Sequence, residues 1–238
     1  MRLAINLVLL FVMALCIWEG HKRGVIRSLL GLTAIILALI FSNMAASALS
    51  EELVPAVNPF VSGYVDSEST IAEVLEALGY GQSDRSLEDI LTEDSSLRYD
   101  YAYECMRQTG FFSEVSEDLA ADAVNYANKN DLSMTDAVIT VVSNALAYVI
   151  CITVLFVMII VLMSALLDLL NLNIRLPNAE ILDEVAGSAI GFVKGFLICI
   201  LLSWLIGFLG LLTGRTTADK CALLKFFQAF RFVTRTLI

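Results

Sequence analysis

Four long apolar runs without charged residues divide the chain, and charged residues border them. About 20 apolar residues in a helix cross the hydrocarbon core of a bilayer. The pattern therefore predicts four transmembrane helices, over residues 3–18, 25–49, 137–168 and 188–213. We expect an all-α integral membrane protein, in which residues 1–49 and 137–214 form two transmembrane hairpins.

The first apolar run also has the general form of a cleaved signal peptide, with Arg2 ahead of an apolar stretch. Its candidate cleavage site, Met13-Ala-Leu-Cys16, has a bulky Leu15 before the cysteine. A second apolar run follows after a tight charged turn, as in a helical hairpin. We therefore expect the first run to be retained as a membrane helix.

The segment between the hairpins, residues 50–136, is polar but has a helical pattern. Residues 71–78 place apolar side chains at positions i, i+3, i+4 and i+7, and Gly79 follows as a stop signal. Residues 116–128 predict another helix. Ser133 and Asp136 predict a cap for a helix that continues into the third span.

Two further patterns set boundaries in this segment. Pro55 and Pro59 predict that the helix of the second span ends as it leaves the membrane. Ser86–Asp89 resembles a capping box before Ile90 and Leu91. We expect an insert that is α-helical, because its pattern is too regular for an unstructured linker.

The tail, residues 215–238, predicts a basic amphipathic helix. Its apolar face contains Leu223, Phe226, Phe227, Phe230, Val233 and Leu237, and its polar face contains Lys225, Gln228 and Arg235. Such a helix is typical of the membrane interface. The alternative is a helix that packs on the bundle.

The charged residues divide the chain into an acidic, polar insert and a basic, apolar remainder. The composition is 58% hydrophobic, although the net charge is −10. Residues 50–136 contain 19 Asp and Glu against 4 Lys and Arg, a net of −15, and the remainder has a net of +5. An acidic surface repels phosphate, so we expect no nucleic acid partner. A solvated face explains the acidic run better than calcium binding, because no calcium-loop motif occurs.

The five cysteines match no metal-binding or disulfide pattern, and we expect them to be structural. The single histidine, His21, lies in the charged turn and is better explained as an interfacial residue than as a proton shuttle. No metalloprotease, nucleophile-elbow or phosphate-loop motif occurs. We therefore expect no enzymatic activity, no cofactor and no metal.

Glycines four residues apart open two of the predicted spans. Gly20 and Gly24 precede the second span, and Gly187, Gly191 and Gly195 precede and open the fourth. Such a ridge of small residues lets two helices approach closely in lipid. The similarity of the two copies suggests an internal repeat, with chance as the alternative.

Charged side chains mark where the helices meet the membrane surface. Lys22, Arg23 and Arg27 crowd the first turn, and Lys194 marks the same boundary for the fourth span. Asp168 and Lys194 could face each other with Arg175 between them, or they could be ordinary boundary charges.

Short basic loops near the first helix lie in the cytoplasm, so the first turn predicts a cytoplasmic side and an extracytoplasmic insert. The cations of the tail point the other way. They are Arg215, Lys220, Lys225, Arg231 and Arg235.

Two motifs resemble the CvpA (colicin V production) family of bacterial inner-membrane proteins. They are Arg23-Gly-Val-Ile-Arg27 and Gly187-x-x-x-Gly-x-x-Lys-Gly195, each followed by an apolar helix. The resemblance covers residues 1–49 and roughly 137–235, but not the acidic insert. The chain departs from the family at Asn6, where an Asp is frequent, and at Glu184, where an Arg is frequent, whereas the adjacent Asp183 matches the family. The resemblance implies a multi-pass protein linked to toxin production or export, without catalytic residues.

Three functions fit these patterns. The leading hypothesis is an accessory or scaffold component of the bacterial cytoplasmic membrane, which assembles with itself or with other membrane proteins through its glycine faces. The second is a small oligomeric transporter or channel. The third is an insert that binds an extracytoplasmic protein.

Overall fold

The computed structural model describes residues 2–80, 87, 90–91, 96–169, 180–208 and 221–229. The helices in this part are α1 (Arg2–Val65), α2 (Glu68–Ala77), α3 (Leu97–Gln108), α4 (Ser113–Asn130), α5 (Met134–Leu169), α6 (Glu180–Phe208) and α7 (Ala222–Gln228). No strand occurs among the described residues. The predicted all-α class is confirmed, and α1, α5 and α6 are long and apolar enough to cross a membrane.

A backbone break at Gly24 divides α1 into two segments. Gly24 has φ 74° and ψ 178°, a left-handed φ that favours glycine because it has no Cβ. Before the break, Cys16 and then Leu9 contact successively later positions of α6, at Gly191 and Cys199.

After the break the order of contacts reverses. Gly31 lies near Lys194, and Leu39 lines one groove with Leu201 and Leu205. The two segments of α1 therefore run in opposite directions along α6, as in a helical hairpin that turns at Gly24.

The second segment of α1 continues through both prolines to Val65, so the prediction that Pro55 and Pro59 end it was wrong. Each proline lacks the N–H that would bind the carbonyl four residues earlier. Both prolines are exposed, where water can satisfy these carbonyls. Beyond them, Val61 and Val65 are buried, and this packing holds the helix together.

The chain divides into two compact units. We call the first the membrane unit; its described residues are 2–48, 150–169, 180–205 and 221–229. We call the second the acidic unit; its described residues lie within 49–149 and 206–208. The helices α1, α5 and α6 each contribute residues to both units.

The acidic unit has an apolar core of its own. The predicted helix at residues 71–78 is confirmed as α2, with Gly79 at φ 84° after its end, and the prediction at 116–128 is confirmed as α4. Helix α3 was not predicted from the sequence. The core contains Val65, Val74, Tyr101, Ala102, Met106, Phe111, Leu119, Ala123 and Val138. Most of the capping-box segment Ser86–Asp89 lies outside the described residues.

The start of α5 belongs to the acidic unit. The Ser133 hydroxyl accepts a hydrogen bond from the Asp136 N–H at 3.1 Å, so the predicted cap is confirmed. Val138 and Val142 are buried in the acidic unit, although the sequence assigned them to a membrane span. The 36 residues of α5 extend about 54 Å, well beyond a hydrocarbon core of about 30 Å.

The short helix α7 packs on α6 within the membrane unit. The Ser203 hydroxyl donates a hydrogen bond to the Leu224 carbonyl at 3.1 Å, and the Phe227 ring lies 5.4 Å from the Phe196 ring. Phe227 is buried inside the protein rather than placed at a lipid surface, whereas Phe226 is half exposed. Five of the predicted tail-helix positions lie outside the described part: Phe230, Val233, Arg235, Leu237 and the side chain of Lys225.

Candidate functional site

The glycines of α1 and α6 contact one another inside the membrane unit. A Cβ on Gly187 would lie 2.5 Å from the Gly20 carbonyl oxygen, and a Cβ on Gly191 would overlap the Cys16 carbonyl. A Cβ on Gly195 would lie 3.0 Å from the Cys16 Cβ. The helix backbones are therefore in direct contact, and this glycine face is occupied within the chain.

Asp183 joins α6 to the break in α1. Its Oδ1 accepts a hydrogen bond from the Val25 N–H at 2.8 Å, and its carboxylate fills the space beside Gly24 where a Cβ would stand. The Asp183 side chain is buried. It therefore satisfies an amide at the start of the helix that follows Gly24, where a negative charge is also favoured by the helix dipole.

Two cations share one carboxylate near this break. The Glu19 carboxylate forms ion pairs with the Arg23 guanidinium at 2.9 Å and with the Lys194 ammonium at 3.1 Å. Arg27 forms an ion pair with Asp168, whose side chain is 60% exposed, whereas that of Arg27 is 12% exposed. Asp168 and Lys194 are therefore each paired with a side chain of α1, Asp168 with Arg27 and Lys194 with Glu19.

The remaining predicted boundary charges are Lys22 and Arg175. The Lys22 ammonium stacks on the Trp18 ring, 3.9 Å from its centroid. His21 is exposed in the same turn. Arg175 lies outside the described residues, so its predicted position between Asp168 and Lys194 is not addressed by the structure.

The charged side chains line a cavity of about 270 Å³ between α1, α5 and α6. We call it the basic cavity. Its charged lining residues are Arg23, Arg27, Lys194 and Glu19, and its hydroxyl groups come from Ser28 and Ser164. Its wall is completed by apolar residues and the glycines Gly20, Gly31 and Gly191. The arrangement concentrates positive charge inside an apolar helical bundle.

A second depression of about 130 Å³ continues along the same three helices. We call it the apolar groove. It is lined by Leu39 of α1, by Ile152, Thr153, Phe156 and Val157 of α5, and by Ile198, Leu201, Leu202, Trp204 and Leu205 of α6. Ile198 lines both the basic cavity and the apolar groove, so the two adjoin.

The cysteines in the described part are all free thiols. Cys105 is buried in the acidic unit, and burial raises the pKa of its thiol to about 12. This thiol therefore stays protonated near neutral pH, which suits the structural role expected for it.

Sequence reasoning missed the roles of Glu19 and Asp183. Glu19 was treated as the end of an apolar run, and Asp183 only as a match to a family pattern beside the departure at Glu184. The sequence does show that Glu19 lies beside the basic turn and that Asp183 lies four residues before Gly187. Neither signal indicates the distant partner, because Val25 lies 158 positions from Asp183 and Lys194 lies 175 positions from Glu19.

The comparison with protein families decides the identity of this membrane bundle. The family model described as colicin V production protein matches residues 110–231, which is just over half of the chain. The chain belongs to the colicin V production protein family. No curated protein and no solved structure matches it.

The extent of the family match differs from the resemblance inferred from short motifs. In this colicin V production family member the match begins inside the acidic segment, at Gly110, and contains α4, α5 and α6. Residues 110–136 of the insert therefore belong to the shared region, contrary to the expectation that the insert lies outside it. The matched region also contains Asp183, Lys194 and the three glycines of α6.

Proposed function

We propose that the chain is a non-catalytic accessory component of the bacterial cytoplasmic membrane that supports the production or export of colicin V-type toxins. The observation that carries the proposal is the family match over residues 110–231, in a chain with three helices apolar enough to cross a membrane. A direct test is complementation of a toxin-producing strain that lacks its own family member. We expect the chain to restore toxin activity in the medium, measured as growth inhibition of a sensitive strain.

The control for this experiment is Gly63→Ala, because a Cβ at Gly63 meets no atom within 4 Å. This variant should restore the toxin as well as the original chain does. Extracellular toxin that stays at the empty-vector level, while the chain is present in the membrane fraction, would contradict the proposal. Toxin measured inside the cells separates a defect in export from one in production.

We propose further that the chain crosses the membrane four times, with residues 50–136 extracytoplasmic. The hairpin at Gly24 and the basic turn beside it support this arrangement. Reporter tags at residue 90 and at the C-terminus test it in intact cells. A tag at residue 90 that reports the cytoplasmic side would contradict it.

Assembly with itself or with other membrane proteins is part of the same proposal. Because Gly20 and Gly187 contact each other inside the chain, assembly would use faces other than the glycine face. Crosslinking in native membranes should give a defined band above the monomer. A monomer alone at high crosslinker concentration would count against assembly.

The acidic surface is the candidate contact for an extracytoplasmic protein, and α4 supplies an exposed part of it. Glu117 and Asp118 are exposed on this helix, beside the buried Leu119 and Ala120. Glu117→Gln together with Asp118→Asn should weaken co-purification of such a partner without unfolding the acidic unit. Unchanged co-purification would exclude this face.

A second candidate function is a small oligomeric transporter or channel, and the basic cavity favours it. Ionisable groups within apolar helices commonly mark ion or solute pathways. Reconstituted protein should then release an anion from loaded liposomes faster than Lys194→Gln protein does. Liposomes that retain every tested ion and solute would contradict transport.

A further inference from the structure

We propose that the basic cavity and the apolar groove together bind one anionic phospholipid, with its phosphodiester in the cavity and an acyl chain along the groove. The proposal concerns a ligand of the membrane unit and does not depend on a role in toxin production. Four observations support it: the charge of the cavity, its hydrogen-bond donors, the continuity of the groove with the cavity, and the length of the groove.

The charge of the cavity is complementary to a phosphodiester. Arg23, Arg27 and Lys194 line it together with one carboxylate, that of Glu19. Asp168 pairs with Arg27 from outside the lining, so these five side chains have a net charge of +1. A phosphodiester carries one negative charge, and basic pockets between membrane helices are suited to anionic headgroups.

The cavity also supplies donors in a form that phosphate accepts. Guanidinium groups bind phosphate oxygens through paired N–H donors, and an ammonium adds a point charge. Arg23 and Lys194 already converge on one acceptor, the Glu19 carboxylate, at 2.9 and 3.1 Å. A phosphate beside Glu19 would therefore meet two cations that share a single counter-charge. Ser164 adds an exposed hydroxyl to the lining.

The groove continues the cavity in one direction on all three helices. On α6 the lining passes from Lys194 through Ile198 to Leu205, and on α1 it passes from Gly31 to Leu39. The groove itself exposes no polar atoms, so its occupant is apolar. A polar end joined to an apolar end identifies an amphiphile rather than a free anion.

The length of the groove fits one leaflet. Lys194 and Leu205 are separated by 11 residues, which is about 16 Å along a helix. Half of a hydrocarbon core is about 15 Å. The cations Lys22 and Arg23 lie in the turn where α1 reverses, a place suited to the headgroup layer.

Trp204 lines the groove and gives a direct readout. Trp18 is the other tryptophan of the chain, so Trp18→Phe leaves Trp204 as the reporter. The full chain is reconstituted in phosphatidylcholine vesicles that contain increasing fractions of phosphatidylglycerol with brominated acyl chains. We expect quenching of Trp204 to half-saturate at a mole fraction about fivefold lower than with brominated phosphatidylcholine.

Variants separate the cavity from general surface charge. Arg23→Gln with Lys194→Gln should abolish the preference for the anionic lipid, whereas Lys22→Gln removes a cation that does not line the cavity and should leave it within about twofold. Ser164→Glu adds a negative charge to the lining without removing any charged residue, so it should also abolish the preference. Circular dichroism and gel filtration establish that each variant is folded before it is compared.

Three outcomes would overturn the proposal. Equal quenching by the two brominated lipids would show that the groove does not select an anionic lipid. An unchanged preference in both the double variant and Ser164→Glu would show that the cavity does not hold the headgroup. Displacement of the lipid by low millimolar inorganic phosphate would show an anion site to which the groove contributes nothing.

Discussion

Asp183 on α6 accepts a hydrogen bond from the backbone N–H of Val25 on α1, at 2.8 Å, directly after the break at Gly24. This contact fastens the turn of the first hairpin to the helix against which both of its segments pack. It does so with a buried carboxylate, and removing that carboxylate leaves a helix N-terminal amide without its acceptor. The turn therefore depends on a residue 158 positions away in the chain.

Asp183→Ala should lower the stability of the membrane unit. Loss of an acceptor at a helix N-terminus costs about 0.5–2 kcal/mol. We expect a lower apparent melting temperature in detergent, and Asp183→Asn should retain much of the stability because its amide oxygen still accepts. Glu184→Ala is the matched control, because Glu184 is the neighbouring carboxylate and is exposed. Equal melting of the two alanine variants would contradict the assigned role.

Gly187→Ala should destabilise the contact between α1 and α6. The added Cβ would lie 2.5 Å from the carbonyl oxygen of Gly20, and a backbone atom can yield only if the helices separate. Overpacking of this kind costs about 1–3 kcal/mol. Thermal unfolding in detergent measures the effect. The control is Gly63→Ala, which replaces a helical glycine in open space and should be neutral or slightly stabilising. If Gly187→Ala had the same melting temperature as the unchanged chain, the two helices would have to lie farther apart than the Gly187–Gly20 contact indicates.

Arg27 and Asp168 should show an energetic coupling in a double-mutant cycle. They form an ion pair between α1 and α5, with Arg27 mostly shielded and Asp168 mostly exposed. For a partly exposed pair we expect a coupling of about 0.5–1 kcal/mol. The cycle uses Arg27→Gln, Asp168→Asn and the double variant, and it compares their melting in detergent. Strict additivity of the two single effects would show that the pair contributes nothing.

Asp122→Asn should stabilise the acidic unit in a pH-dependent way. Asp122 is exposed, but partial desolvation, and then the Asp118 carboxylate one turn earlier, raise the pKa of Asp122 above its usual value. The folded unit therefore binds this proton more tightly than the unfolded chain, and the ionised carboxylate destabilises the fold at neutral pH. Relief of a like-charge pair at this spacing is worth about 0.2–0.5 kcal/mol.

The gain from Asp122→Asn should be complete above the raised pKa of the folded state. It should shrink as the pH falls through that value and vanish below the unfolded pKa of about 3.9, where the carboxyl group is protonated in both states. Melting curves at pH 7 and pH 3 test this. A stabilisation of equal size at both pH values would exclude an electrostatic origin.

The apolar runs could be read directly from the sequence because each is a local property of consecutive residues. The helices α2 and α4, and the cap at Ser133, were likewise predictable, since their signals lie within a turn or two of each other. Helix α3 was missed because Leu97–Gln108 is polar on average and has only a weak apolar stripe. Its buried Tyr101 and Met106 acquire their role from α2 and α4.

The helix ends were predicted least well. Local signals at Pro55 and Pro59 favoured a stop, but burial of Val61 and Val65 further along α1 outweighed them. In the same way, the apolar residues at the start of α5 suit a membrane span and a protein core equally. Only their neighbours show that Val138 and Val142 lie in the acidic unit.

The sequence by itself determined that this protein is helical, that its long apolar helices suit a membrane, and that glycines and cations cluster at the first turn, because hydropathy, helical period and small side chains are local features. The tertiary structure alone decided which charges meet. Glu19 pairs with Lys194, Arg27 pairs with Asp168, and Asp183 accepts the Val25 N–H. These partners depend on the reversal at Gly24 and on the register of α1 against α6, and such long-range geometry leaves no trace in the spacing of residues along the chain.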